Sequence, residues 1–278
     1  MRKTKIAITY EKGGVGKTTT AVNLAAILAE KGFRVLLVDL DPQSYATAYF
    51  DLYNDLLPSI TGVMMGKNDV KEAIRPTRIE NLDILPGSYD FKDIETFLMM
   101  KTRRQEYTLR ETMADVSDLY DFVLMDCPPS GNRIKTNALA YADYVLLPTI
   151  PDDYAIHGLL CMANELVEIR QGVNPSLDVL GVLVTIYERT ANKRAYTEAL
   201  QGQDILYTLT YSGEPIPPPE PDRSWIVWTL AAIFAVSLGA SIVLAVLYFR
   251  GRRRLRQESV IPSAEETQEK EERNEASE

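Results

Sequence analysis

One short glycine-rich stretch limits what this chain can fold into more than any other feature of its sequence. Residues 11–19 read Glu-Lys-Gly-Gly-Val-Gly-Lys-Thr-Thr. They follow an apolar run at residues 6–10, which predicts a short buried strand, and they precede residues 20–31, where apolar side chains recur at helical spacing. Strand, glycine loop and helix form a phosphate-binding loop, because glycines let backbone amides approach phosphate oxygens and the helix N-terminus adds positive charge.

The loop predicts a nucleotide site that uses magnesium. We expect Lys17 to reach the β- and γ-phosphates of ATP and the Thr18 hydroxyl to bind Mg²⁺. The residues expected to hold the nucleotide are Gly13, Gly14, Val15, Gly16, Lys17, Thr18 and Thr19. The alternative interpretation is a glycine turn that carries a lysine by chance.

A second lysine stands in the loop at Lys12, and Glu11 occupies the place of the usual first glycine. The spacing Lys-Gly-Gly-Val-Gly-Lys-Thr-Thr resembles the deviant Walker A loop of the ParA/MinD/Soj family of ATPases. In that family the extra lysine reaches the partner's phosphates across a nucleotide-sandwich dimer, so the resemblance implies a catalytic role in trans for Lys12. The alternative is a solvated lysine beside a strand.

Two further acidic segments match the same family. Residues 34–38 predict a buried strand that ends in Asp39-Leu40-Asp41-Pro42-Gln43, which resembles the family's switch segment. The resemblance implies that Asp41 positions the attacking water and that Asp39 supports Mg²⁺ or the switch. A strand cap and a proline turn are the alternative, and Ser44 stands where the family has glycine.

Residues 120–126 form a third apolar run closed by an acid, Asp126, and Cys-Pro-Pro-Ser follows it. This is the form of a Walker B strand, in which Asp126 would hold Mg²⁺ through a water because Mg²⁺ dehydrates reluctantly. Strands alternating with helices up to residue 185 predict an α/β fold with a doubly wound, mostly parallel sheet and helices on both faces.

Cysteine and histidine counts exclude several classes of site. His157 is the only histidine, which excludes a multi-histidine metal site. Cys127 and Cys161 lie among apolar neighbours without disulfide or metal spacing, so both are predicted to be core residues. The start of the chain has no secretory signal, so we expect the ATPase part in the cytoplasm. The basic cluster at residues 101–104 is predicted to be a solvated face rather than a nucleic-acid site.

The resemblance covers roughly residues 4–200, and the predicted ATPase domain spans residues 1–205. A proline-rich acidic linker is predicted for residues 206–224, and a transmembrane helix for residues 225–249, which carry no charge over 25 residues. Residues 250–278 contain an arginine cluster and then a Glu-rich stretch that we expect to be disordered. The sequence does not show three features that the family has beyond this point: its last strand, part of its base pocket and its DNA-contacting helices.

The charges around the apolar segment raise a question of orientation. Five arginines follow it closely, and the positive-inside rule would then put residues 1–224 outside, away from ATP. Three explanations are open. A rapidly folding N-terminal domain overrides the rule, the segment is not inserted as a simple span, or a ParA-like fragment is fused to the tail of an unrelated protein. We favour the fusion.

The leading hypothesis is a switch ATPase of chromosome or plasmid partition, anchored by its C-terminal span. The family resemblance implies a homodimer around Mg-ATP, a ParB-like activating protein and non-specific DNA as partners. A rival hypothesis is a membrane-tethered nucleotide-binding module without ATPase activity, because the domain lacks its usual C-terminal part. A bacterial tyrosine kinase is disfavoured because no tyrosine cluster follows the span, and an iron–sulfur ATPase because suitably placed cysteines are missing.

Overall fold

The computed structural model describes residues 3–89, 91–129, 133–152 and 154–186, which lie within one compact unit. They form a seven-stranded sheet in the order β3-β4-β2-β5-β1-β6-β7. The strands are β1 (Thr4–Ile8), β2 (Val35–Asp39), β3 (Arg75–Pro76), β4 (Leu82–Leu85), β5 (Phe122–Asp126), β6 (Tyr144–Thr149) and β7 (Asp178–Val184). The helices are α1 (Lys17–Glu30), α2 (Tyr45–Tyr49), α3 (Ile60–Met64), α4 (Val70–Ala73), α5 (Phe91–Met100), α6 (Thr108–Thr112), α7 (Arg133–Tyr141) and α8 (Ala155–Gly172).

The sheet is parallel except at one edge, as the alternation of strands and helices predicts. The central strands β2 and β5 are buried along their whole length, which explains their continuous apolar sequences. The two-residue strand β3 pairs antiparallel with β4. Pro76 suits this edge position because it has no amide to donate to a further strand.

Helices cover both faces of the sheet. Leu36 and Val38 belong to the core cluster that includes residues of α3 to α8, whereas Val35 and Leu37 are equally buried on the opposite face. Successive strand residues point to opposite faces, and α1 packs on β2 and β5. The doubly wound architecture predicted from the sequence is therefore confirmed for the described residues.

The first helix has the pattern and the stop that its sequence predicts. Its buried side chains recur at three- and four-residue intervals, including Ala21, Leu24, Ala25 and Leu28. Gly32 follows in the left-handed region at φ 87°, and its amide donates to the carbonyl of Ala29. This is the helix ending that glycine favours.

One prediction about the core was wrong. Cys127 is fully buried, but Cys161 is partly exposed, with its sulfur 3.6 Å from Nδ1 of His157 one turn away on α8. Leu159 and Met162 are fully buried while Leu160 is exposed, so a run of apolar letters did not distinguish a core position from the rim. In the basic cluster, Lys101 is paired with Glu111 at 3.3 Å.

The linker, the apolar segment at 225–249 and the charged tail all lie outside the described residues, so those assignments stay predictions. Within the described part of the chain, no helix combines the length and the apolar character needed to cross a bilayer.

Candidate functional site

The glycine loop lies at the carboxyl edge of the sheet, between β1 and α1. Gly14 and Gly16 adopt φ values of 75° and 84°, a region that L side chains rarely enter. Between them the side chain of Val15 is buried, which fixes the loop on the core. Helix α1 then begins at Lys17 with no side-chain cap and no acidic residue in its first turn. Its first amides and its positive dipole end are therefore available to an anion.

Lys17 lies inside this loop with only 7% of its surface exposed. Its ammonium donates to the backbone carbonyl of Lys12 at 3.1 Å. Burial lowers the pKa of Lys17, and the carboxylates of Asp126 and Asp41 oppose that change. No carboxylate forms an ion pair with this ammonium within the described ranges. Lys17 is thus a buried cation whose counter-charge is incomplete.

Asp126 ends β5 directly beside the loop. It is completely buried, and in the part of the chain that the structure describes neither carboxylate oxygen receives a hydrogen bond. The Thr18 hydroxyl lies near enough to lower its pKa but does not complete a hydrogen bond. Burial, followed by the charge of Asp39, raises the pKa of Asp126 well above its ordinary value. A buried carboxylate without a donor is costly, so the site is built for a cation.

Asp39 ends β2 and is the register neighbour of Asp126 in the parallel pair. Unlike Asp126 it is fully hydrogen-bonded: Thr47 donates its amide at 2.9 Å and its hydroxyl at 2.6 Å, and the Asp41 amide donates at 3.2 Å. Burial nevertheless raises the pKa of Asp39 to about 6. These bonds tie the strand end to the following segment, so the Asp39 carboxylate is already engaged by groups of its own chain.

Asp41 lies two residues further on and is also largely buried, with 8% of its surface exposed. Its carboxylate accepts the amide of Gln43 at 2.9 Å, which closes a tight turn through Pro42. The next residue, Ser44, has a φ of 49°. This left-handed conformation is the one that glycine adopts most readily, so Ser44 carries backbone strain.

Lys12 is placed differently from Lys17. Its ammonium is paired with the carboxylate of Asp152, in the loop after β6, and lies 5.9 Å from the centre of the Tyr154 ring. Close to half of the Lys12 side chain is exposed. Together with Tyr10, His157 and Cys161 it lines an open cavity of about 310 Å³. The two lysines of the loop therefore face different surroundings, one inside the phosphate loop and one at its rim.

The structure brings most of the predicted site residues to one edge of the sheet. Asp126, Asp39, Asp41, Lys17 and Thr18 converge there, while Gly13, Gly14 and Thr19 line the exposed side of the loop. Sequence reasoning missed three residues that hold the site together, namely Thr47, Gly87 and Thr185. The Gly87 amide donates to the Thr47 hydroxyl, and the Thr185 hydroxyl donates to the Val15 carbonyl. None belongs to a motif: Gly87 lies 40 positions from Thr47, Thr185 lies 170 from Val15, and Thr47 is outside the Asp-x-Asp-Pro-Gln segment that contains its partner Asp39.

The donor set fits magnesium and phosphate. Mg²⁺ prefers hard oxygen ligands and keeps several waters, and Asp126 with the Thr18 hydroxyl offers such oxygens without closing the site. No group of three or more His, Cys, Asp or Glu side chains that could hold a metal ion occurs in the described residues. A metal here would therefore be shared with a phosphate ligand and water. The free amides and Lys17 match the phosphate oxygens of that ligand.

Comparisons with known proteins give consistent results. A family model described as "AAA domain" matches residues 3–179. The chain is 38% identical over 188 residues to the chromosome partitioning protein ParA of Myxococcus xanthus, an alignment covering 67% of this chain and 66% of that protein. It is 38% identical over 188 residues to the sporulation initiation inhibitor protein Soj of Bacillus subtilis, covering 67% of this chain and 74% of Soj.

A solved structure agrees with this likeness. The crystal structure of a cobyrinic acid a,c-diamide synthase from Mycobacterium smegmatis, with a bound ATP analogue and magnesium, is 33% identical and has a TM-score of 0.68. The match covers 79% of this chain and 87% of that one.

Proposed function

Because this chain belongs to the ParA/Soj family of P-loop ATPases, we propose that it binds Mg-ATP, dimerises around it and hydrolyses it slowly as a molecular switch. The process served is chromosome or plasmid partition, or a related positioning task. The observation that carries this proposal is the pairing of a buried, under-compensated Lys17 with a buried carboxylate, Asp126, that has no donor in the described residues. A bound Mg²⁺–phosphate group supplies the partners that both lack.

The loop residues Gly13 to Thr19 bind the phosphates in this proposal. The left-handed Gly14 and Gly16 turn the backbone so that amides at the start of α1 face one point, and Lys17 adds a cation there. Thr18 and Asp126 hold the metal, which neutralises charge on the phosphates when it is bound. Asp39 serves the site indirectly, since its bonds to Thr47 fix the segment that carries Asp41.

Asp41 is the residue we assign to the attacking water. It is buried at the same edge of the sheet as Lys17, and its charge acts on the Lys17 ammonium. Its backbone is fixed by the Asp39 carboxylate and by the turn to Gln43. A carboxylate held in this way can orient a water and accept its proton.

Lys12 acts in trans in this proposal. Its ammonium lies at the rim of the loop and is paired with Asp152 rather than with the phosphate site of its own chain. We assign this exposed rim to the surface that a second copy would meet. A cation supplied from a partner to the transferring phosphoryl group stabilises the charge that develops there.

A ParB-like activating protein is the partner that this function requires, because a slow ATPase becomes a switch only when another component sets its rate. Non-specific DNA and a membrane contact through residues 225–249 are further proposals, and they concern residues outside the described ranges. The rival function is a nucleotide-binding module that does not hydrolyse ATP.

Phosphate release by the full-length chain in the presence of Mg-ATP tests the proposal. We expect slow turnover that Lys17→Ala abolishes together with nucleotide binding. Asp41→Asn should keep the affinity and lower turnover by about a hundredfold or more, the usual size of a proton-transfer contribution. The matched control is Asp51→Asn, an exposed aspartate that pairs with Arg78 at 3.6 Å, which should change neither property. Tight Mg-ATP binding with no turnover in the parent chain would favour the rival function.

A further inference from the structure

The hydroxyl of Thr185 connects the far edge of the sheet to the middle of the phosphate loop. Its Oγ1 donates to the carbonyl of Val15 at 2.7 Å and lies 3.1 Å from the carbonyl of Thr149. The two residues joined by the shorter bond are 170 positions apart in sequence. Val15 stands between the two left-handed glycines, at the point where the loop reverses direction.

The backbone of Thr185 is fixed by the sheet. It directly follows β7, and its amide donates to the carbonyl of Thr149 at 2.8 Å, which continues the ladder between β6 and β7. Its side chain also approaches the loop closely, since a Cβ placed on Gly16 would lie 3.7 Å from the Thr185 methyl carbon. The threonine is therefore held by the sheet, bonds to the loop through its hydroxyl and places its methyl group beside Gly16.

We propose that Thr185 is a positioning residue for nucleotide binding, which holds the phosphate loop in its binding conformation from the edge of the sheet. This inference rests on the proposed function and adds a residue to it. Two glycines with positive φ make the loop intrinsically free to adopt several shapes, because glycine has no Cβ to restrict it. The buried Val15 side chain fixes one side of the turn, and the Thr185 hydroxyl fixes the carbonyl on the other side.

The expected effect is on the fraction of chains whose loop is ready to bind. Thr185→Val keeps the shape of the side chain and removes the hydroxyl, which leaves the Val15 carbonyl without its donor. A single hydrogen bond of this kind shifts the loop equilibrium by roughly tenfold. Apparent affinity is proportional to the fraction of chains whose loop is competent, so Mg-ATP should bind more weakly, by up to about tenfold. Thr185→Ser keeps the hydroxyl and should restore most of the affinity.

The control is a threonine that resembles Thr185 in chemistry but not in contacts. Thr61 in α3 is buried, and its hydroxyl has no hydrogen-bond partner in the described residues. Thr61→Val removes a hydroxyl from the core without breaking a bond to the loop. It should leave the affinity for Mg-ATP unchanged.

Two measurements on the full chain test the inference. Hydrogen exchange of the peptide containing residues 13–17, without nucleotide, should be faster in Thr185→Val than in the parent, Thr185→Ser or Thr61→Val. Calorimetric titration with Mg-ATP should give the affinities stated above. Unchanged exchange in Thr185→Val would overturn the inference whether or not the chain binds ATP. Faster exchange with an unchanged affinity for Mg-ATP would overturn it as well. Failure of the parent chain to bind Mg-ATP would instead contradict the proposed function, while the exchange result would still test the contact.

Discussion

Replacement of Asp126 by asparagine should stabilise the nucleotide-free chain and remove its response to magnesium. Asp126 is completely buried without a donor in the described residues, and its pKa is raised well above 3.8 by burial and by Asp39. Asparagine has nearly the same shape and carries no charge. The substitution therefore removes an electrostatic cost from the nucleotide-free chain and leaves the strand pairing of β5 intact.

The magnitude follows from proton linkage. Because burial raises the pKa of Asp126, the folded chain binds its proton more tightly than the unfolded chain does, so the free energy of unfolding falls as pH rises above 3.8. Each pH unit costs about 1.4 kcal/mol, which sets a ceiling of about 4 kcal/mol at pH 7. A buried asparagine amide without partners keeps a cost of about 1–2 kcal/mol. The net effect is therefore a gain of about 2 kcal/mol at pH 7 and a loss of about 1–2 kcal/mol at pH 4, where the linkage cost is close to zero.

Asp39 adds to the same pH dependence. Burial raises the pKa of Asp39 from 3.8 to about 6, so its ionisation also destabilises the folded chain between those values. With Asp126 neutralised, the repulsion between the two register neighbours is lost, and the pH dependence of stability should become shallower.

Thermal denaturation of the parent and of Asp126→Asn between pH 4 and pH 8, without nucleotide, measures the effect. About 2 kcal/mol corresponds to roughly 4–8 °C for a domain of this size. Asp143→Asn is the control. The Asp143 carboxylate accepts hydrogen bonds from both the amide and the ammonium of Lys5, so its neutralisation should lower the melting temperature. A lower melting temperature for Asp126→Asn at pH 7 would refute the reasoning, as would a gain that does not depend on pH.

Three further predictions concern the switch and the loop rim. Ser44→Gly should raise the free energy of unfolding by about 1 kcal/mol in chemical denaturation. It removes the backbone strain of a φ of 49° and a buried hydroxyl that has no partner in the described residues. Ser44→Ala removes only the hydroxyl and should raise the free energy of unfolding less. Lys12→Ala should change stability by under about 1 kcal/mol, because its pair with Asp152 is exposed, yet abolish ATP-dependent dimerisation in light scattering; a dimer that forms normally would contradict its role in trans. Thr47→Val should slow ATP turnover more than it weakens ATP binding, since it releases Asp39 from the switch segment; equal losses in turnover and affinity would argue against this assignment.

The motifs predicted which strand ends would meet, and the reason is local. Lys17, Asp39 and Asp126 each follow an apolar run that ends at an acid or a glycine loop, and the parallel sheet brings these ends to one edge. A short motif and the length of an apolar run are both visible in the sequence. The strands predicted at residues 34–38 and 120–126 agree with β2 and β5 to within two residues, whereas α1 begins three residues before its predicted start.

The contacts that support the site were not predictable in the same way. Gly87 donates to Thr47 across 40 positions, and Thr185 donates to Val15 across 170. Glycine, threonine and valine are common residues without a distinctive spacing, so only the folded chain identifies these pairs. The exposure of Cys161 was missed for a related reason, because burial depends on which face of α8 meets the core.

The thermal unfolding of the full-length chain with and without Mg-ATP, beside Lys17→Ala, tests the central claim most directly. A ligand that binds only the folded state stabilises it by about 2.7 kcal/mol at a hundredfold excess over its dissociation constant. The account predicts a melting temperature that rises by several degrees with Mg-ATP in the parent, rises less with ATP when magnesium is removed, and does not change in Lys17→Ala. An unchanged melting temperature in the parent at millimolar Mg-ATP, or an equal rise in Lys17→Ala, would contradict it.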